Sequence, residues 1–148
     1  MDIKMSGNDT KAVLKECSAG ARMAIESIDG MTESVENREL KQIIVDCRRD
    51  HESLGAKAEQ LLSEMGEDGK NAPPIARAMS WMKVNVKMNG DEPDPGAAAI
   101  TYDGCAMGIK TLAKCMNKSP NADGGAMDIA NRIIKCEQET MVNVRRFL

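Results

Sequence analysis

Apolar residues return every three or four positions along most of this chain, the spacing that gathers them on one face of an α-helix. The first stripe is Leu14, Cys17, Ala21, Ala24, Ile28 and Met31. Asp9 or Thr10 is placed to cap it, since a short oxygen-bearing side chain accepts the free N–H groups of a first turn. Residues 1–8 precede the pattern and are expected to be a flexible N-terminus; they hold no apolar run of secretory type. The helix should stop between Gly30 and Val35. A second stripe follows at Leu40, Ile44, Cys47, His51, Leu54, Ala58, Leu61 and Met65. Asn37 is its expected cap, and Gly66 and Gly69 its expected end. Two long helices with so short a connection predict an antiparallel hairpin.

Pro73 and Pro74 then open a shorter helix, where a missing N–H is tolerated, with Ile75, Met79, Met82 and Val86 along one side and Trp81 beside them. Asn89 and Gly90 end it. The run Gly90-Asp-Glu-Pro-Asp-Pro-Gly96 reads as a turn-rich linker that cannot be helical. A fourth helix is predicted over residues 96–117, with Ala98, Tyr102, Cys105, Ile109, Leu112 and Met116 inward. Gly104 and Gly108 lie within it, each costing about 1 kcal/mol relative to Ala, which predicts a close helix approach or room for a small apolar ligand. Asp123 caps the last helix, whose seam is Met127, Ala130, Ile134, Glu137, Met141, Val144 and Leu148. The prediction is an all-α helical bundle, with residues 9–148 as one domain.

Composition narrows the picture. A chain of 148 residues can bury its own core. Three aromatics (Trp81, Tyr102 and Phe147) against twelve Met argue against a β-sandwich or barrel. With 20 Lys+Arg against 23 Asp+Glu there is no footprint for nucleic acid or an acidic membrane. No apolar stretch approaches the roughly 20 residues of a membrane span. The five cysteines (Cys17, Cys47, Cys105, Cys115 and Cys136) form no CxxC pair and read as reduced, buried thiols of a cytoplasmic protein. No phosphate-binding glycine motif is present. The single His lies mid-helix beside Cys47, a poor geometry for nucleophilic catalysis.

Two polar residues interrupt the seams: His51 in the second helix and Glu137 in the fifth. A buried carboxylate is expensive unless paired, so Glu137 needs a partner. His51 is the first candidate, with Arg48 and Arg49 as rivals. Such a core polar pair needs no cofactor. The alternative is a mononuclear site for one zinc or iron ion. Cys47 and His51 can chelate at i,i+4 spacing, and Cys105 and Glu137 can complete a tetrahedral set.

Around this midplane the chain resembles a family of ferritin-like four-helix proteins of unknown function. The resemblance covers most of the chain through Leu61-Leu62-Ser-Glu-Met-Gly66, Ile75-Ala-Arg-Ala-Met-Ser-Trp-Met82 and Ile109-Lys-Thr-Leu-Ala-Lys-Cys-Met116. It implies a ferritin-like four-helix bundle of two helical hairpins joined by a short crossover helix, the third one, with helices two and five antiparallel. It does not carry over di-iron chemistry, which draws a Glu from each of two helices and Glu-x-x-His from each of the others. Here the second helix reads Arg48-Arg-Asp-His51 and the fifth Glu137-Gln-Glu-Thr140. Glu16 and Glu26 fall on the outer face of the first helix by heptad count. Ferroxidase or oxygenase activity is therefore not expected. The expected function is a non-catalytic bundle acting through association with a second copy or another helical protein, its many Met residues filling the core. Binding of a mononuclear metal or redox chemistry at the Cys/His/Glu cluster is the alternative.

Overall fold

The computed structural model describes residues 3–67 and 92–148. Among the described residues the chain is all-helical, with four long α-helices and no strand: α1 (Ile3–Met31), α2 (Arg38–Glu64), α3 (Pro93–Asn117) and α4 (Gly124–Val144). Single 3-10 turns follow α1 (Thr32–Ser34) and α4 (Arg145–Phe147). None of these helices is long and apolar enough to cross a membrane. The expected short helix at residues 73–89, with Trp81, lies outside the described residues.

Local chemistry sets most of the boundaries. Asn37 accepts from the Glu39 and Leu40 amides at the start of α2, and Asp123 accepts from Ala126 at the start of α4. At the end of α2, Gly66 adopts φ +80, and the Gly66 and Glu67 amides donate back to Ser63 and Leu62. That left-handed residue satisfies carbonyls the helix would otherwise strand, and glycine adopts it without strain.

Two expected boundaries are corrected. α1 begins at Ile3, so residues 3–8, read as flexible, are helical. Asp9 and Thr10 are interior, and their oxygens serve across the bundle: Asp9 Oδ2 accepts from the Asn121 amide and Thr10 Oγ1 from the Asp123 amide, both at 2.9 Å. α3 begins at Pro93, inside the stretch read as a linker. Both prolines fall in the first turn, where amides have no intrahelical acceptor to lose. Between them, Asp94 accepts from the Glu36 and Asn37 amides at 2.8 and 3.0 Å, tying this helix start to the α1–α2 turn.

α1 and α2 form one antiparallel hairpin, α3 and α4 the other. α2 runs antiparallel to α4, since Arg146 pairs with Glu39 at one end and Leu61 lies beside Gly125 at the other. α1 runs antiparallel to α3, as the Asp9–Asn121 contact requires. The C-terminus of α2 and the N-terminus of α3 therefore lie at opposite ends of the bundle.

All six predicted positions of α1 are buried. The later seams are corrected by about one residue. In α2, Leu62 is buried where Leu61 was expected. In α3 the inner face is Ala97, Ala98, Thr101, Gly104, Cys105 and Leu112, leaving Tyr102, Ile109 and Met116 half-buried. In α4 it is Ala126, Ile129, Ile133, Cys136, Glu137 and Thr140, in place of Met127, Ile134 and Met141. The apolar core forms two clusters. One lies around Ile28, Leu40, Ile44 and Ile100 near the α1–α2 turn, the other around Leu14, Leu54, Leu62 and Ile129 at the far end. His51 and Glu137 sit between them.

Small residues set the hairpin spacing. A Cβ at Gly55 of α2 would stand 2.8 Å from the Ala21 Cβ of α1, closer than two carbons pack. At Gly20 a Cβ meets nothing within 4 Å. Gly55→Ala should therefore lower stability by about 1–3 kcal/mol through overpacking, whereas Gly20→Ala should raise it by about 0.5–1 kcal/mol. Denaturant unfolding of both variants checks the contrast.

Candidate metal centre

The stripe of α2 stacks Cys47 and His51 one turn apart on its buried face, and α4 presents Cys136 and Glu137 opposite. His51 is 1% exposed and Glu137 4%. His51 Nδ1 lies 2.8 Å from the Cys47 carbonyl oxygen, which can only accept, so Nδ1 carries a hydrogen and donates. Nε2 lies 3.3 Å from Glu137 Oε1. Burial works against a charged ring, but the contacts with Cys136, Cys47 and Glu137 outweigh it and hold the imidazole well above its ordinary 6.5. Both ring nitrogens thus face oxygen acceptors, Nδ1 the Cys47 carbonyl and Nε2 the Glu137 carboxylate. Burial raises the Glu137 carboxyl above its usual range, and His51 offsets part of that rise.

Thiols surround the ring. Cys47 Sγ is 3.5 Å from His51 Nδ1. The ligand atoms of Cys47, His51 and Cys136 all lie within 4.8 Å of one another, and all three residues are buried. Cys105 reaches the cluster from α3 through contact with the Cys47 thiol. That contact, with burial, raises Cys47 above its ordinary value, against the opposing pull of Cys136 and His51. Cys136 is pushed up strongly by the Cys47 contact and by burial. Without a cation these groups stay protonated, which is unsuited to nucleophilic chemistry.

Glu137 has a second environment. Its Oε2 is buried and accepts no hydrogen bond within the protein. It lies against the backbone of Gly108, where a Cβ would collide with the carboxylate. Gly108 is therefore the close approach foreseen in α3, made to a side chain of α4. Beside it is a cavity of about 20 Å³ lined by Glu16, Cys17, Gly20, Thr111 and Glu137, with room for about one water. Glu16, assigned to the outer face by heptad count, is 5% exposed and belongs to this lining; Glu26 is exposed.

Of the expected site residues, Cys47, His51 and Glu137 come together directly, and Cys105 joins through Cys47. The rival partners of Glu137 are engaged elsewhere: Arg48 pairs with Asp29 and Glu52, and Arg49 with Asp46. Sequence reasoning missed Cys136, because the seam drawn through Met127, Ile134 and Met141 placed it beside the inner face. Its adjacency to Glu137 was the available signal. The groups do not fit two irons. Against roughly four Glu and two His, the midplane offers Glu16, Glu137 and His51, and α3 presents Gly108 to Glu137. Thr140, in the His position of Glu-x-x-His, donates to the Cys136 carbonyl.

No protein-family model matches the chain, and a search of curated proteins finds no match.

A raised imidazole makes the pair pH-sensitive in a definite sense. The folded state holds the His51 proton more tightly than the unfolded chain, so its contribution is complete below about pH 6.5. It is lost as pH rises through the higher folded value. The thermal midpoint of chelator-treated protein should therefore fall between pH 6.5 and 8.5. In His51→Leu this dependence should flatten, and stability at pH 6.5 should drop by about 3–5 kcal/mol because Glu137 is left uncompensated. Calorimetry across that range tests both.

Proposed function

We propose that this chain is a ferritin-like bundle whose midplane binds one soft divalent metal ion through thiolates in place of a di-iron centre. The observation that carries the reading is the buried grouping of Cys47, His51 and Cys136. Bonds of about 2.3 Å to sulfur and 2.0–2.1 Å to nitrogen set tetrahedral S and N ligands about 3.5 Å apart. Cys47 Sγ and His51 Nδ1 are 3.5 Å apart. Three donors of this kind, two sulfurs and one imidazole nitrogen, suit zinc, or iron as the second choice, and Cys105 touches Cys47 from α3 at the edge of the group. Glu137 then serves as the carboxylate that holds the far ring nitrogen rather than as a ligand, the usual arrangement around a metal-bound imidazole. Binding displaces the thiol protons and the Nδ1 hydrogen.

The paired antiparallel hairpins, with the end of α2 and the start of α3 at opposite ends, support the ferritin-like assignment. Five free, buried cysteines support a reducing, cytoplasmic setting. Association through an apolar face has less support: among the described residues the exposed large apolar side chains are Ile3 and Met5 at the start of α1 and Val45, Val142 and Leu148 elsewhere. The role that fits is metal-holding at three convergent protein donors.

Protein purified without an affinity tag should contain about one zinc or iron per chain, and cobalt(II) should give thiolate charge-transfer absorption. Cys47→Ser and Cys136→Ser should abolish stoichiometric binding. Glu137→Gln should weaken it by about 10–100-fold. Metal-free protein that fails to take up zinc or cobalt at micromolar concentrations refutes the reading.

A further inference from the structure

A second feature, independent of the metal reading, lies on the outside of the bundle. Between α1 and α3 runs a groove of about 480 Å³. That is within the roughly 300–1,000 Å³ typical of small-molecule sites. Its apolar lining includes Ala12, Met107 and the buried Cys115. Along the α3 side stand Lys110, Lys114 and Lys118, spaced four residues apart and so forming a row about 12 Å long. All three are exposed. Lys11 and Lys15 on α1 are engaged with Glu67, but this row has no ion-pair partner among the described residues.

Two carboxylates reach the opposite wall, and neither neutralises the row. Asp9 accepts from the Asn121 amide, and Glu16 is buried at the inner edge with contacts of its own. Three ammonium groups against the two carboxylates, both of which act on the Cys115 thiol, leave the lining net positive by one charge, on a chain whose net charge is −3. A neutral hydrocarbon would leave the ammonium row unanswered, and a polyanion would find no use for the apolar lining. An amphiphile with one anionic end satisfies both surfaces.

We propose that this groove binds a free medium-chain carboxylate of fatty-acid type. Its head group lies on Lys110, Lys114 and Lys118, and its chain on Ala12, Met107 and Cys115.

The test is calorimetric titration of the full chain with decanoate, with decanol and acetate as the matched tail-only and head-only probes. Decanoate should bind at one site, and acetate should not bind measurably. Decanol should bind at least tenfold more weakly than decanoate. Lys110→Gln/Lys114→Gln should weaken decanoate at least tenfold with an unchanged thermal midpoint. Lys41→Gln/Lys135→Gln, of equal charge but on other exposed surface, should not. Ala12→Leu, which adds bulk to the apolar lining, should weaken decanoate and decanol alike. Equal affinity for decanol and decanoate, or no loss in the groove double variant, overturns the proposal. So does absence of decanoate binding, or a decanoate-sensitive dimer in sedimentation, which would assign the groove to a second copy of the chain.

Discussion

The buried contact between His51 and Glu137 is the constraint around which this bundle is arranged. Removing a carboxylate from water is tolerable only when its charge is answered nearby. The nearest answer is an imidazole from the opposite hairpin. The consequence is visible in the packing, because the apolar core does not run through the bundle but stops on either side of this pair. What lies between is polarisable or small: thiols around the ring, and Gly108 against the carboxylate. Each choice follows from the pair. A larger residue at position 108 would drive Glu137 off its line to His51, and apolar residues in place of the thiols would remove the contacts the ring makes with Cys47 and Cys136.

The same arrangement separates the duties of the two ends of the imidazole. Nε2 faces Glu137, whereas Nδ1 faces the Cys47 carbonyl with the Cys47 sulfur beside it. That asymmetry distinguishes the site from a carboxylate-rich dinuclear centre, in which oxygen donors face the ions from every helix. Here the carboxylates Glu16 and Glu137 face the small cavity beside Cys17, and Cys47 and Cys136 gather around His51. A hard and a soft half thus sit back to back, joined through one Glu and one His.

Much of this was legible in the residue pattern, and the failures have definite causes. Wherever a helix shows its inner face with large apolar side chains, as α1 does, the pattern identified the buried positions. Where the inner face is built from Thr101, Gly104, Gly108 and Cys136, it has no strong apolar signature. Neighbouring Met and Ile residues that are only half-buried then drew the seam one position away. The same error hid Cys136 from the candidate site, whereas Glu16 was assigned to solvent because an apolar stripe gives no signal for a buried carboxylate beside it. Asn37 and Asp123 were readable because a cap acts within a few residues of itself. Asp9 and Thr10 were misread because the same oxygens can serve a distant loop, and sequence spacing carries no information about a partner more than a hundred residues away. Pro93 and Pro95 were taken as helix breakers, although the first turn is the one place where proline removes nothing.

The clasp formed by Asp94 on the Glu36 and Asn37 amides has a counterpart at the other end, where Asp9 and Thr10 hold the amides of Asn121 and Asp123. Together they fix the axial alignment of one hairpin against the other from both extremities. An α-helix advances about 1.5 Å per residue, so a slip of a single position would carry Cys136 and Glu137 past Cys47 and His51 by a distance comparable to a coordinate bond. Accuracy in the middle of the molecule is thereby set by three side chains at its tips, Asp9, Thr10 and Asp94.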